Sequence, residues 1–170
     1  IDITTSVTGT FTTEGWAVYK YTNLQSNGEP GKNTTFPDTD FPLFRLGDVY
    51  LMYAEAVARG GEGGNLATAV NYINALRERA YGDTYHNITE SWLLENNLQN
   101  ILDERCRELY WEGVRRTDLI RFGLYTSPNY LWTFKGGVLN GVGVDSRYNV
   151  FPIPTTDMSV NGNLKQNEGY

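Results

Sequence analysis

Cysteine is nearly absent: Cys106 stands alone in 170 residues, so no internal disulfide can form. Histidine is equally scarce, and one thiol with one imidazole, His86, falls short of a zinc site built from these two residue types. Positive charge is in deficit, with 14 Lys and Arg against 20 Asp and Glu and a formal net charge of -6. Binding to nucleic-acid phosphates needs a basic stripe, so nucleic acid is excluded as an expected partner. No apolar run approaches the ~20 residues that cross a bilayer, and the polar stretch from Ile1 has neither the basic nor the apolar region of a secretion signal.

What the chain does contain is ordinary globular composition, 40% hydrophobic and 20% charged, which excludes disorder throughout. The length suits one domain with a real core. The excess is aromatic: 12 Tyr, 7 Phe and 4 Trp, many of them among Gly, Asn and Thr, where no core stripe requires them.

Residues 1–39 read as extended or looped lead-in, with one alternating run, Trp16-Ala17-Val18-Tyr19-Lys20-Tyr21, and a turn at Ser26-Asn27-Gly28. Residues 40–123 read as a helical scaffold. Asp40 and Pro42 mark a helix start, and Leu46, Val49, Tyr50, Tyr53, Ala54 and Val57 recur at spacings of three and four. Gly60 to Gly64 end that helix, and Asn65 can cap a second on the stripe Ala69, Val70, Ile73, Leu76, Ala80, which the short turn lays antiparallel to the first. Thr89 caps a third, with Ile88 and Leu93 as a hydrophobic staple and the stripe Leu94, Leu98, Ile101, Leu102, Arg105, Leu109. Gly113 predicts a break before a short fourth helix, Val114 to Phe122. Residues 124–170 show no period and carry Pro128, Pro152, Pro154 and the glycines at 136, 137, 141 and 143, so a long irregular C-terminal wrap is expected. No boundary splits the chain into two cores. The fold class is therefore mainly α.

Charge is patterned along Asp103 to Arg121. Glu104, Glu108 and Glu112 recur every four residues, while Arg105 falls on the apolar stripe and requires a carboxylate partner. A glycosidase pair must flank a bond from opposite sides, and neighbours on one helix face project the same way. No His follows at the spacing of a carboxylate metal site. These residues, with Arg116, Asp118 and Arg121, are expected to form a structural ion-pair lattice that locks the helices, with no catalytic and no metal-binding role.

The run Glu104-Arg105-x-x-Glu108-Leu109-x-x-Glu112-Gly113-x-x-Arg116-x-Asp118-Leu119-Ile120-Arg121-Phe122-Gly123 resembles the C-terminal signature of the SusD/RagB family. Three further pieces agree in order: Phe44 to Ala56, Ile73 to Ala80, and Phe151-Pro152-Ile153-Pro154 with Gln166-Asn167-x-Gly169-Tyr170. The resemblance implies tetratricopeptide-like helical hairpins in a non-catalytic lipoprotein of the bacterial outer-membrane surface. Such a protein binds glycan and delivers it to a SusC-like TonB-dependent transporter, and its N-terminal lipid anchor lies outside this chain. Family proteins run to several hundred residues, so 1–170 is expected to be one C-terminal domain of a longer protein. Cys106 is not the anchor. The family's sugar-contacting residues match no motif here and do not carry over.

Sugar binding needs flat aromatic faces with amides or guanidiniums nearby. Tyr125, Tyr130 and Trp132, with Asn129 and flanked by Phe134, Lys135 and Asn140, form such a group and are the candidate carbohydrate-binding residues, packing against the bundle being their commoner fate. Tyr81, Tyr85, His86 and Trp92 form a second group in which packing is favoured. No cofactor is implied. A structural calcium ion on loop carboxylates such as Asp145 would leave no recognisable spacing. The rival readings are a helical-repeat module that docks on the transporter without binding sugar, and a glycoside hydrolase.

Overall fold

The computed structural model describes Val18, residues 20–33 and residues 35–170. The elements are α1 (Leu46–Ala58), α2 (Leu66–Tyr81), α3 (Glu90–Leu94), α4 (Gln99–Glu108), α5 (Arg115–Arg121) and α6 (Thr155–Val160), with 3-10 turns at Asn96–Leu98, Lys135–Gly137 and Ser146–Asn149. Among the described residues there is no strand, only an isolated antiparallel bridge from Leu24 to Pro30 around the turn at Gly28. The chain separates into two compact units that divide at residues 115 and 116, where the sequence marks no boundary.

In the unit that runs to Arg115, α1 and α2 pair as a hairpin. Asn65 adopts extended backbone and its side-chain oxygen accepts the Thr68 N–H at 2.7 Å, which satisfies one orphan donor at the start of α2. Gly82, at φ 77°, closes α2 by donating its N–H to Glu78 O. Leu51 and Ala54 of α1 meet Ala69, Ile73 and Leu76 of α2 in a core that Ile88, Leu93, Ile101 and Leu109 complete. Each fully buried Leu or Ile contributes about 1.5–3 kcal/mol. Ile88 and Leu93 are both buried beside the Thr89 cap, which accepts the Trp92 N–H at 3.3 Å.

Three sequence expectations need correction. The first helix begins at Leu46, behind Arg45 in extended backbone, and not at Asp40. Its buried positions are Gly47, Leu51, Ala54 and Glu55, whereas Leu46 and Val49, expected inside, are 62% and 47% exposed. The third helix is not continuous. Asn96, Asn97 and Leu98 take φ of 54°, 50° and 64°, which cuts α3 from α4. Asn tolerates this left-handed region better than most residues, so two adjacent asparagines make the break cheap.

In the unit from Arg116 onward, α5 ends at Gly123, φ 70°, and is followed by loops and α6. The loop from Tyr125 to Val144 folds back on itself. Val142 N–H donates to Lys135 O at 3.1 Å, and Val144 N–H to Thr126 O at 3.1 Å. At Gly141, φ 76°, a Cβ would come within 2.4 Å of Trp132 O, so only glycine permits this close approach. The Trp16 to Tyr21 run lies partly outside the described residues.

Candidate functional site

The charged residues of α4 face α1 and α2. Glu104, buried, takes a two-pronged bond from Arg77, with Nε at 3.1 Å and Nη2 at 2.8 Å, and a further one from Arg107 Nη2 at 2.6 Å. Arg105, 4% exposed, donates to Asp48 Oδ1 of α1 at 2.9 Å. Beyond the end of α4, Arg45 grips Glu112 through Nε at 2.9 and 2.8 Å and also reaches Glu108. Lys20 joins at Glu112, and Arg79 bonds both oxygens of Glu108 at 2.7 Å.

The Arg45 guanidinium is held above its ordinary value, chiefly by its hydrogen bonds to Glu112, while desolvation opposes. Burial works against ionisation of Glu112, but hydrogen bonds from Arg45 and Lys20 outweigh it and hold the carboxyl below 4.5. On α5, Asp118 is buried and accepts from Arg121 Nη2 at 2.8 Å. Arg116 differs from the expected pattern. Among the described residues its guanidinium faces aromatic rings, Phe151 at 4.1 Å and Tyr125 at 5.1 Å, and donates to Tyr148 O at 2.8 Å, with no carboxylate. Arg is suited to stacking of this kind.

The aromatic group of the later unit surrounds an open hollow of about 390 Å³ walled by Tyr125, Trp132, Lys135, Gly136, Val144 and Tyr148. The Tyr125 and Trp132 rings lie 6.3 Å apart and tilted by 30°. Tyr130 meets Trp132 edge-on at 6.3 Å but does not line the hollow, nor does Asn129, which is exposed. Trp132 and Tyr148 are 39% and 43% exposed, so ring surface is open to a ligand. Tyr148 was not singled out from sequence, because it lies far along the chain from Trp132 and only the fold-back of the loop brings it near.

Lys135 forms the floor. It is 3% exposed, and its Nζ donates to Ser127 O and Tyr130 O at 2.6 Å and to Leu124 O at 3.3 Å, while lying 4.6 Å from the Trp132 ring centre. Burial pushes this ammonium below the ordinary lysine value. The second aromatic group is also placed: Tyr81 stacks on His86 at 4.0 Å, Tyr85 meets it edge-on at 5.3 Å, and Trp92 lies under Arg77 at 4.9 Å. Among the described residues no group of three or more His, Cys, Asp or Glu is placed to hold a metal ion. Asp145 instead accepts the Arg147 N–H at 2.8 Å and caps its own turn.

A helical hairpin braced by guanidinium and carboxylate in one unit, and an open aromatic hollow carried on loops in the other, are the features of a mainly helical protein. The chain belongs to the SusD family, whose sequence model matches residues 3–170. It is 46% identical over 159 residues to the starch-binding protein SusD of Bacteroides thetaiotaomicron, covering 93% of this chain and 26% of that protein. A SusD-like protein of Formosa agariphila is 33% identical over 132 residues, 75% of this chain and 24% of that protein. The solved surface glycan-binding protein A of B. thetaiotaomicron in complex with laminarihexaose superposes with a TM-score of 0.59 at 27% identity, over 84% of this chain and 27% of that one. The chain thus spans about a quarter of the length of the relatives it matches. The two Bacteroides proteins are named as binding proteins.

Proposed function

We propose that this chain is part of a non-catalytic glycan-binding protein at the bacterial outer-membrane surface, which holds oligosaccharide and passes it to a SusC-like TonB-dependent transporter. The observation that carries the reading is 46% identity, across 93% of the chain, to a protein named for binding starch. The neighbour solved with laminarihexaose supports the same ligand class. No helix among the described residues is long and apolar enough to cross a membrane, and attachment through a lipid is the mode the family resemblance supplies.

The chemistry of the acidic run from Glu104 to Glu112 supports binding without cleavage. A glycosidase needs a proton-bearing acid of raised pKa and a second carboxylate across a cleft. Glu104, Glu108 and Glu112 are each engaged by guanidiniums, and Glu112 is shifted in the opposite direction. The place we assign to a sugar on this chain is the Trp132 hollow, lined by Trp132, Tyr125 and Tyr148, aromatic rings of the kind that pack on the C–H face of a pyranose.

Calorimetric titration of the protein with maltoheptaose and laminarihexaose tests this, alongside product analysis by chromatography. Binding heat without cleavage products is expected, and Trp132→Ala is expected to lose about 1 kcal/mol of affinity, roughly fivefold. Cleavage, or no heat with any glycan, overturns the function. Undiminished affinity in Trp132→Ala removes sugar from this hollow.

A further inference from the structure

Each aromatic ring that walls the Trp132 hollow has a cation against it. Lys135 Nζ lies 4.6 Å from the Trp132 ring centre, the Arg116 guanidinium 5.1 Å from that of Tyr125, and the Arg147 guanidinium 5.1 Å from that of Tyr148. Such contacts are attractive because the face of an aromatic ring is electron-rich. The ring has no net charge, however, so it leaves the charge of its cation uncancelled. The hydrogen bonds of these cations are equally neutral. Lys135 donates to Leu124 O, Ser127 O and Tyr130 O, Arg116 to Tyr148 O, and Arg147 to Gly169 O and the Tyr148 hydroxyl. Among the described residues no carboxylate forms an ion pair with any of them, whereas Arg45, Arg77, Arg79 and Arg105 of the earlier unit each meet one.

The walls of the hollow include no Asp or Glu. Asp145 stands next to it in sequence, but it caps its own turn on the Arg147 N–H, and its charge reaches the Arg147 guanidinium only through space. Lys135 is charged as it stands, because three carbonyls take all three N–H bonds of an ammonium and a neutral amine has only two. Burial works against that charge with no acid to offset it. A cleft with low-dielectric walls concentrates a field of one sign, and here the sign is positive. An anion entering the hollow supplies the missing opposite charge. A cationic amino sugar meets the reverse, ring faces whose attraction for cations is already taken up.

We propose that the Trp132 hollow selects sugars by charge and that its preferred occupant is an acidic pyranose, one that carries a carboxylate or a sulfate ester, stacked on Trp132 in the combined field of Lys135, Arg116 and Arg147. The inference rests on the reading of the hollow as a sugar site and narrows the class of sugar it takes. Neutral glucans stack on the same rings but gain nothing from the field. The three cations are specificity-determining residues that act through their charge, since Lys135 spends its N–H bonds on carbonyls of its own loop.

Calorimetric titration of the full-length protein tests it, with maltoheptaose, with maltoheptaose oxidised to uronate at its primary alcohols, and with maltoheptaose sulfated there. Each is titrated into the parent and into Trp132→Ala. The affinity that depends on Trp132 is expected to favour the acidic forms by about tenfold at low ionic strength, and the preference should vanish at ~1 M salt, where charges are screened within about 3 Å. Arg116→Gln and Arg147→Gln should each reduce the preference, and together reduce it further. Arg116→Lys and Arg147→Lys, which keep the charge and lose only the planar group, should retain it. Acidic forms that both bind more tightly support selection by charge, and a preference confined to one of them identifies the anionic group. Trp132-dependent binding of neutral maltoheptaose that is equal or tighter overturns the inference and leaves the sugar site standing. So does a preference for acid that high salt and the double Gln variant leave untouched. Affinities that Trp132→Ala does not change for any of the oligosaccharides overturn the sugar site itself, and the inference with it.

Discussion

The two units hold themselves together by different means. Up to Arg115 ion pairs between side chains brace the helices, with Arg45, Arg77, Arg79 and Arg105 each meeting a carboxylate that is remote in sequence. From Arg116 onward the long-range polar bonds run mainly from side chain to main chain, the Arg121–Asp118 pair being local to α5. Lys135 serves three carbonyls, Arg147 donates to Gly169 O at 2.7 Å, and Tyr170 donates to Val150 O at 2.9 Å. Gln166 both accepts from Ile153 N–H at 2.8 Å and donates to Ile153 O at 2.9 Å, as a neighbouring strand would. Helices satisfy their own backbone and free their charges for bracing, whereas a chain without regular structure must recruit side chains to satisfy its N–H and C=O groups.

The contrast is open to direct attack. The largest effect is expected from Arg105→Ala, which leaves Asp48 without this guanidinium and should cost about 3–5 kcal/mol in urea unfolding. An unchanged midpoint would remove the structural role of the pair. Next comes Lys135→Met, which strips three carbonyls of their donor and should cost about 2 kcal/mol, with faster hydrogen exchange confined to the loop around residues 124–144. Exchange that quickens equally in α1 and α2 would show the two regions to be less distinct than their bonding suggests. Gln166→Ala should cost about 1–2 kcal/mol and expose the Ile153 amide to exchange.

The smallest effect is one of pH. Glu112 is held below 4.5 in the folded state, so the unfolded chain takes up its proton first on acidification. Its contribution is complete above that value and is lost as pH falls through the lower folded one. Unfolding measured from pH 7 to pH 3 should therefore show a shallower acid-side decline in Glu112→Gln than in the parent.

Much of the hairpin was legible because its signals are local. Asn65 and Thr89 cap where their side chains reach their own third residue, and Gly60 sits at positive φ where the periodicity of the first helix stops. The break before α4 was not: Asn96 and Asn97 tolerate positive φ, but Leu98 at φ 64° contradicts its own preference, and the apolar stripe continues across the break. The face of α1 was misread for a related reason: two apolar stripes overlap on one helix, and spacing alone does not say which of them turns inward. At the site, spacing indicated that Arg105 needs an acid but not that the acid is Asp48. Trp132 was legible as a loop aromatic with Lys135 beside it in sequence, whereas the burial of Lys135 beneath three carbonyls depends on the fold-back of the loop.

Arg45 fastens Glu108 and Glu112 to the threshold of α1 with little water between them. Stripping water from ions becomes less costly on warming, because ionic hydration carries a strongly negative entropy. The grip of this junction on the helices therefore strengthens with temperature, over a range where the benefit of apolar burial levels off, and it should be among the last fastenings to yield to heat.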